Sequence, residues 1–292
     1  MSRLAFLGTP EAAVPTLEAL VASGHEMVQV VTRPDRRRGR GGALSASPVK
    51  GAALDLGLPV TDRLDDVVGT GAELGVVVAY GRLVPERILD VLPMINVHFS
   101  LLPRWRGAAP VERAILAGDE VTGVCIMRLE VELDTGPIYS CESVPLGEDE
   151  TADELRSRLS VLGARLATEL LEHGAGGLPD PVPQAGTPTY AEKIRPEELQ
   201  LRWESTATEV ARRVRLGRAW TIWRGRRLRV LRVRPSSLAA SGEAPGTIVG
   251  HEVVCGEGRL VLIEVQPEGG RPMEGADWAR GARPSPGERL GT

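Results

Sequence analysis

Apolar runs and amphipathic stretches alternate along the first part of the chain. Leu4 to Leu7 is an apolar run that stops at Gly8-Thr9-Pro10. From Glu11 to Ala22, Val14, Leu17, Leu20 and Val21 fall on one stripe of a helix, closed by Gly24. Thr9 is placed to cap that helix, and Pro10 suits its first turn. Met27 to Thr32 is the next apolar run. Strand, helix and strand thus follow one another as in the βαβ unit of a parallel sheet.

The alternation goes on. Helices are expected over 48–56, 85–91, 109–117 and 153–172, and strands over 58–60, 75–79, 95–98, 123–129 and 138–144. The run at 75–79 is apolar on both faces, as a strand covered on both sides must be. Residues 1–175 therefore read as a doubly wound α/β domain. Residues 176–188 are rich in Gly and Pro and lack a period, so 176–204 is expected to be a linker. From 205 to 292 the texture changes. One helix over 206–214 precedes short alternating runs at 228–233, 247–249, 252–255 and 260–265, the pattern of a small antiparallel barrel or sandwich. Residues 280–292 read as a Gly/Pro-rich tail.

Composition sharpens this picture in three places. The 292 residues are 42% hydrophobic and 25% charged, which suits a globular protein with a sizeable core. Three cysteines, Cys125, Cys141 and Cys255, show no CxxC spacing. Their odd count argues against a disulfide framework or a zinc knuckle and fits a reducing cytosol; no metal site is expected. The first apolar run is too short for a signal peptide, and no stretch approaches the ~20 apolar residues a membrane span needs. A cytoplasmic chain, working as a monomer without a membrane, is the expectation.

Candidate chemistry lies in INVHFSLLPRWRGAAP, residues 95–110. Asn96 and His98 are two apart, so on a strand they face the same way, at the carboxyl end where open α/β sheets put their ligands. A buried His bonded to a carbonyl beside a turn-forming Asn would give the same spacing. Asp134, in the turn Leu133-Asp134-Thr135-Gly136, is the natural third member, able to orient His98 and stabilise its protonated form; an Asx-turn explains it equally well. No GxGxxG follows the first strand, which disfavours a dinucleotide. An amide that donates to a developing oxyanion and a His that moves a proton suit direct attack of an external nucleophile on a carbonyl.

Two basic stretches bear on the acceptor. Arg33 to Gly42 is a Gly-rich loop carrying Arg36, Arg37, Arg38 and Arg40. Arg212 to Arg234 holds ten Arg, among them Arg212, Arg215, Arg226 and Arg227, with Trp220 and Trp223 between them and no acidic residue. Each reads as a solvated charge run or as a surface tracking phosphates. The whole chain has a net charge of −4, so the basic character is local.

Asn96-x-His98, then Ser100-Leu101-Leu102-Pro103, Arg106-Gly107 and Leu133-Asp134-Thr135-Gly136, resemble the folate-dependent formyltransferases. The resemblance implies an N-terminal Rossmann-like formyltransferase domain with a parallel-rich sheet over 1–175 and a small OB-like C-terminal β-barrel over 205–292. It implies Asn96, His98 and Asp134 as the catalytic trio. Ser100 to Pro103, with Ala79, Tyr80 and Gly81 at an earlier strand end, would bind 10-formyltetrahydrofolate. FLGTPEAAVPTLEALVASGHE, PDRRRGRGGALSASPVK and the late VQPEGGRPM and PGERL extend the likeness toward members that formylate methionyl-initiator-tRNA. On that likeness Arg40 enters the acceptor-stem region. Phe99 departs from the family pattern, where a small residue or Pro is usual, and would line or narrow the folate pocket. Arg215 to Trp220 replaces an Asn-Pro-Trp-Pro-like barrel entry. The rivals are a nucleotide amino-sugar formyltransferase, which needs no basic arm, and an inactive RNA-binding relative.

Overall fold

The structure, a computed structural model, describes residues 1–38, 43–237 and 242–291. The chain divides into two compact units. The first takes in Met1–Val111, Val121–Pro145 and Leu155–Glu192, and the second Glu112–Glu120, Leu146–Glu154 and the chain from Lys193 on.

The elements, in chain order, are β1 (Arg3–Gly8), α1 (Val14–Ala22), β2 (Glu26–Val31), β3 (Arg36–Arg38), β4 (Ala43–Ser45), α2 (Pro48–Asp55), β5 (Val60–Thr61), β6 (Leu74–Val78), α3 (Glu86–Leu89), β7 (Met94–His98), β8 (Arg106–Gly107), α4 (Pro110–Ala117), β9 (Val121–Arg128), β10 (Ile138–Pro145), α5 (Ala152–Leu170) and β11 (Tyr190–Ala191). Seven strands form one sheet in the order β10-β9-β7-β6-β1-β2-β5. The five from β7 to β5 are parallel, whereas β9 runs antiparallel to β7 and β10 antiparallel to β9. β6 is buried at every position and β1 at all but its first, as strands covered on both faces must be. All five parallel strands end at one edge, so β6 and β7 deliver Ala79–Gly81 and Phe99–Pro103 side by side.

On β7 the side chains alternate between two surroundings. Val97 and Phe99 meet α5 at Gly163, where an added Cβ would lie 2.6 Å from Val97 and 3.5 Å from the Phe99 ring. Only glycine admits that approach. Phe99 thus packs under α5, on the face opposite Asn96 and His98, and does not line the pocket expected of it.

Several local expectations differ from the structure. Thr9 does not cap the first helix; its hydroxyl donates to the Tyr80 carbonyl at 3.2 Å, and a short 3-10 turn over Glu11–Ala13 precedes α1. The basic loop is in part a hairpin, since β3 pairs antiparallel with β4. Lys50 holds its base through Asp35 at 2.8 Å. The stretch expected as a linker is ordered: Val182 bridges Ile138, and β11 pairs with β8. The cysteine count also misled. The β9–β10 register sets Cys125 opposite Cys141, and the two are joined as a disulfide, a neighbour relation that counting and spacing do not contain. Cys255 is free and buried.

The second unit adds α6 (Ala207–Val214), β12 (Trp220–Trp223), β13 (Arg226–Pro235), β14 (Ile248–Val249), β15 (Glu252–Val254), β16 (Arg259–Pro267), β17 (Met273–Glu274) and α7 (Gly275–Ala282). Its antiparallel sheet runs β12-β13-β16-β15-β14, with β17 beside β16. α6 starts in a reciprocal cap between Thr206 and Glu209 and turns Val210 and Val214 into a core shared with Trp203, Leu228, Val230 and Trp278. α7 occupies sequence that gave no helical signal; its one large buried side chain, Trp278, meets Trp223 edge to face at 5.2 Å. No helix among the described residues is long and apolar enough to cross a membrane.

Candidate active site

Asn96 and His98 project from the last turn of pleat on β7, and Asp134 reaches them from the turn between β9 and β10. β9 lies beside β7, with Asn96 opposite Met127 and His98 opposite Cys125, so the turn beyond β9 comes back over the strand end. Asp134 adopts a left-handed backbone, φ 53°, and is buried. That conformation costs an L-residue roughly 1–2 kcal/mol. The bonds its carboxylate makes offset the cost.

Those bonds converge. The Gly107 N–H donates to Asp134 Oδ2 at 2.7 Å, and Asn96 Nδ2 donates to Oδ1 at 3.4 Å. His98 Nδ1 stands 3.7 Å from Oδ2, within ion-pair range. His98 Nε2 lies 2.8 Å from the Trp105 carbonyl oxygen. A carbonyl only accepts, so Nε2 carries a hydrogen that it donates to Trp105, and Nδ1 is the ring nitrogen that faces the carboxylate. His98 and Asp134 are both 6% exposed, while Asn96 is half-buried, so its amide is the member of the trio nearest water. The three predicted residues are therefore brought together.

The residues expected to hold the folate separate into two kinds. Ser100 is buried, accepts from the Trp105 N–H at 3.2 Å and donates to the Trp105 carbonyl at 3.3 Å. It folds the loop that carries Trp105 and is spent there. Leu102 packs with Cys125 and Met127, and Leu101 lies against that cluster. At the end of β6, Ala79 (φ 47°) and Gly81 (φ 77°) are both left-handed and exposed, which turns the main chain of 79–81 outward between them. Tyr80 is buried, and its hydroxyl has no hydrogen-bond partner among the described residues.

Residues 2–171 match the family model described as formyl transferase, and residues 193–283 match formyl transferase, C-terminal domain. The methionyl-tRNA formyltransferase of Cereibacter sphaeroides is 44% identical, over 99% of this chain and 99% of its own. The chain belongs to the formyl transferase family. Two solved structures share the fold. An N-formyltransferase from Helicobacter canadensis, in complex with folinic acid and dTDP-3-aminofucose, superposes with TM-score 0.69 at 16% identity, covering 90% of this chain and 99% of that one. HypX from Aquifex aeolicus, in complex with tetrahydrofolic acid, gives TM-score 0.67 at 16% identity over 95% of this chain, which spans 47% of HypX.

The basic residues expected to face tRNA fall in different settings in this formyl transferase. Arg36 and Arg37 are exposed on β3; Arg38 closes the same hairpin, and Arg40 lies outside the described residues. Arg226 and Arg227 are exposed on β13, with Arg227 stacked 4.1 Å over Trp220. Arg215 is otherwise engaged: its Nε donates to the Glu150 carbonyl at 2.8 Å and its Nη2 to the Gly147 carbonyl at 2.7 Å. Burial pushes its guanidinium below the usual arginine value. The Arg212 guanidinium lies against Gly118, filling the place a Cβ would take.

Proposed function

We propose that this enzyme transfers the formyl group of 10-formyltetrahydrofolate to the amino group of methionyl-initiator-tRNA, forming N-formylmethionyl-tRNA for translation initiation. The observation that carries the reading is the convergence of Asn96, His98 and Gly107 on one buried Asp134 carboxylate, in a chain similar end to end to a methionyl-tRNA formyltransferase. A tRNA acceptor puts the reaction in the cytoplasm.

Each member has a role its geometry supports. Asn96 gives one N–H to Asp134 and keeps the other for the oxygen of the formyl carbonyl, where negative charge develops as the amine attacks. His98 takes the amine proton on Nδ1, because Nε2–H is committed to Trp105. Asp134 stabilises the imidazolium so formed, and Gly107 holds the carboxylate in place. The new C–N bond forms to the methionyl nitrogen, the bond to the folate N10 breaks, and His98 returns the proton to that leaving nitrogen. The outward main chain at 79–81, the Tyr80 hydroxyl, without a partner among the described residues, and the apolar Leu101–Pro103 fit a folate with a hydrogen-bonding heterocycle and an apolar flank. Each unit carries exposed arginines, Arg36 and Arg37 on β3 and Arg226 and Arg227 on β13, of the kind that attract tRNA phosphates.

Formyl transfer to methionyl-tRNA, with an amino-sugar nucleotide in a parallel reaction, tests this. Transfer to the charged tRNA that disappears in Asn96→Ala is the expected result. Transfer to the sugar alone, or to neither, overturns the assignment.

A further inference from the structure

Gln184 sits in the Gly/Pro-rich stretch that the sequence presented as a linker, yet its side chain is saturated with hydrogen bonds. Nε2 donates to the Asp134 carbonyl at 2.9 Å and to the Gly136 carbonyl at 2.8 Å. Oε1 accepts from Arg106 Nε at 3.0 Å and Nη2 at 2.7 Å. An amide has two N–H groups and two lone pairs, and all four are used. The two segments it ties are the ones that meet at the Asp134 carboxylate: the left-handed turn that presents it, and Arg106, the residue before the Gly107 N–H that grips it.

The flanking chain fixes Gln184 from both ends. Val182 exchanges backbone hydrogen bonds with Ile138 at 2.8 Å each, and the Arg106 N–H donates to the Thr189 carbonyl at 2.8 Å. Gly107, at φ 126°, lies where an added Cβ would stand 2.7 Å from the Ala191 carbonyl oxygen. Arg106 has its Nε and one terminal nitrogen turned inward by Gln184, so this guanidinium braces the turn.

We propose that Gln184 is a positioning residue for the transfer step. It locks Asp134 in its left-handed conformation and so sets the distance between the carboxylate and His98. The inference rests on Asn96, His98 and Asp134 being the catalytic group.

Four enzymes test it: wild type, Gln184→Met, Asp134→Asn and the double variant, assayed with 10-formyltetrahydrofolate and methionyl-tRNA. Methionine keeps the length of the side chain and removes all four bonds. Gln184→Met should lower kcat about 10–100-fold, since misplacing a reacting group by about 1 Å costs on that order. KM for either substrate should stay within about threefold. In the Asp134→Asn background the same change should alter kcat by less than about twofold, because both substitutions remove one effect. Gln184→Glu keeps the acceptor for Arg106 and loses both donors; it should show the same fall in kcat, and it decides the matter if Gln184→Met fails to fold. Unchanged kcat, a rise confined to KM, or a full additive loss in the double variant overturns the proposal. Wild-type turnover in Asp134→Asn alone instead overturns the catalytic trio, whatever Gln184 does.

Discussion

The turn that carries Asp134 and the strand that carries Arg226 and Arg227 both concentrate charge, in opposite manners. At Asp134 a single buried carboxylate is met by a backbone N–H, an amide and an imidazole, and the turn beneath it is pinned by Gln184. On β13 several guanidinium groups stand exposed along one strand, one of them over the ring of Trp220. The first arrangement tolerates no slack, because proton transfer and oxyanion stabilisation depend on heavy-atom distances of about 3 Å. The second tolerates much, because phosphate attraction falls off over a Debye length of about 8–10 Å and adds over charges. Precision is bought by burial at one place, and affinity is spread by exposure at the other.

That contrast breaks most readily at the trio. His98→Ala should lower kcat by about 10²–10⁴, and Asn96→Ala by about 10²–10³, with thermal melting little changed. Steady-state kinetics beside a melting curve would check both, and wild-type turnover in either would dissolve the distinction.

Arg226→Ala and Arg227→Ala should act on the other quantity. Each should raise KM for tRNA severalfold, leave kcat near wild type, and reduce the slope of log affinity against log salt by about 1 if it meets a phosphate. A salt titration of tRNA binding reads this directly. A fall in kcat without a change in slope would show these arginines to be structural.

Arg215 sharpens the comparison from inside the basic cluster. Its guanidinium holds the Gly147 and Glu150 carbonyls, so Arg215→Ala should cost about 1–2 kcal/mol of stability while leaving the salt slope alone. Denaturant melts of the variant against wild type decide between bracing and tRNA contact.

The smallest effect concerns Cys255. Burial pushes its thiol up to about 12 from an ordinary 9.0. The folded state therefore favours the protonated thiol. The stability this contributes is fully present below pH 9 and is lost as pH rises from about 9 toward 12, where the unfolded chain ionises first. Melting temperature should decline over that window, and a maleimide should label Cys255 only on unfolding. Labelling of the native protein at neutral pH would contradict this.

Much of this was legible along the chain. A two-residue spacing on a strand puts Asn96 and His98 on one face by pleat geometry alone, a 3.6-residue period marks α5, and an unbroken apolar run marks β6. Other features were misread for a common reason. Ten arginines without an acidic neighbour looked alike, yet Arg215 is spent on carbonyls from 147–150, which only its place beside that loop decides. Phe99 looked like a pocket residue until α5 closed over it at Gly163. α7 had too few apolar positions to show a period, and Trp278 alone anchors it as a large buried side chain.

The sequence by itself determined most of the strand-and-helix order, the shared face of Asn96 and His98, and a tight turn at Leu133-Asp134-Thr135-Gly136, because these follow from periodicity and turn chemistry. Tertiary structure alone decided that His98 gives Nε2–H to Trp105, that Gly107 grips Asp134, that Cys125 meets Cys141, and that Gln184 ties the turn to Arg106. Gln184 lies about fifty residues beyond Asp134 in the chain and meets it only because Val182 and β11 pair with Ile138 and β8. Contacts across such separations are set by strand order and register, which cooperative packing of the whole unit fixes and no local pattern encodes.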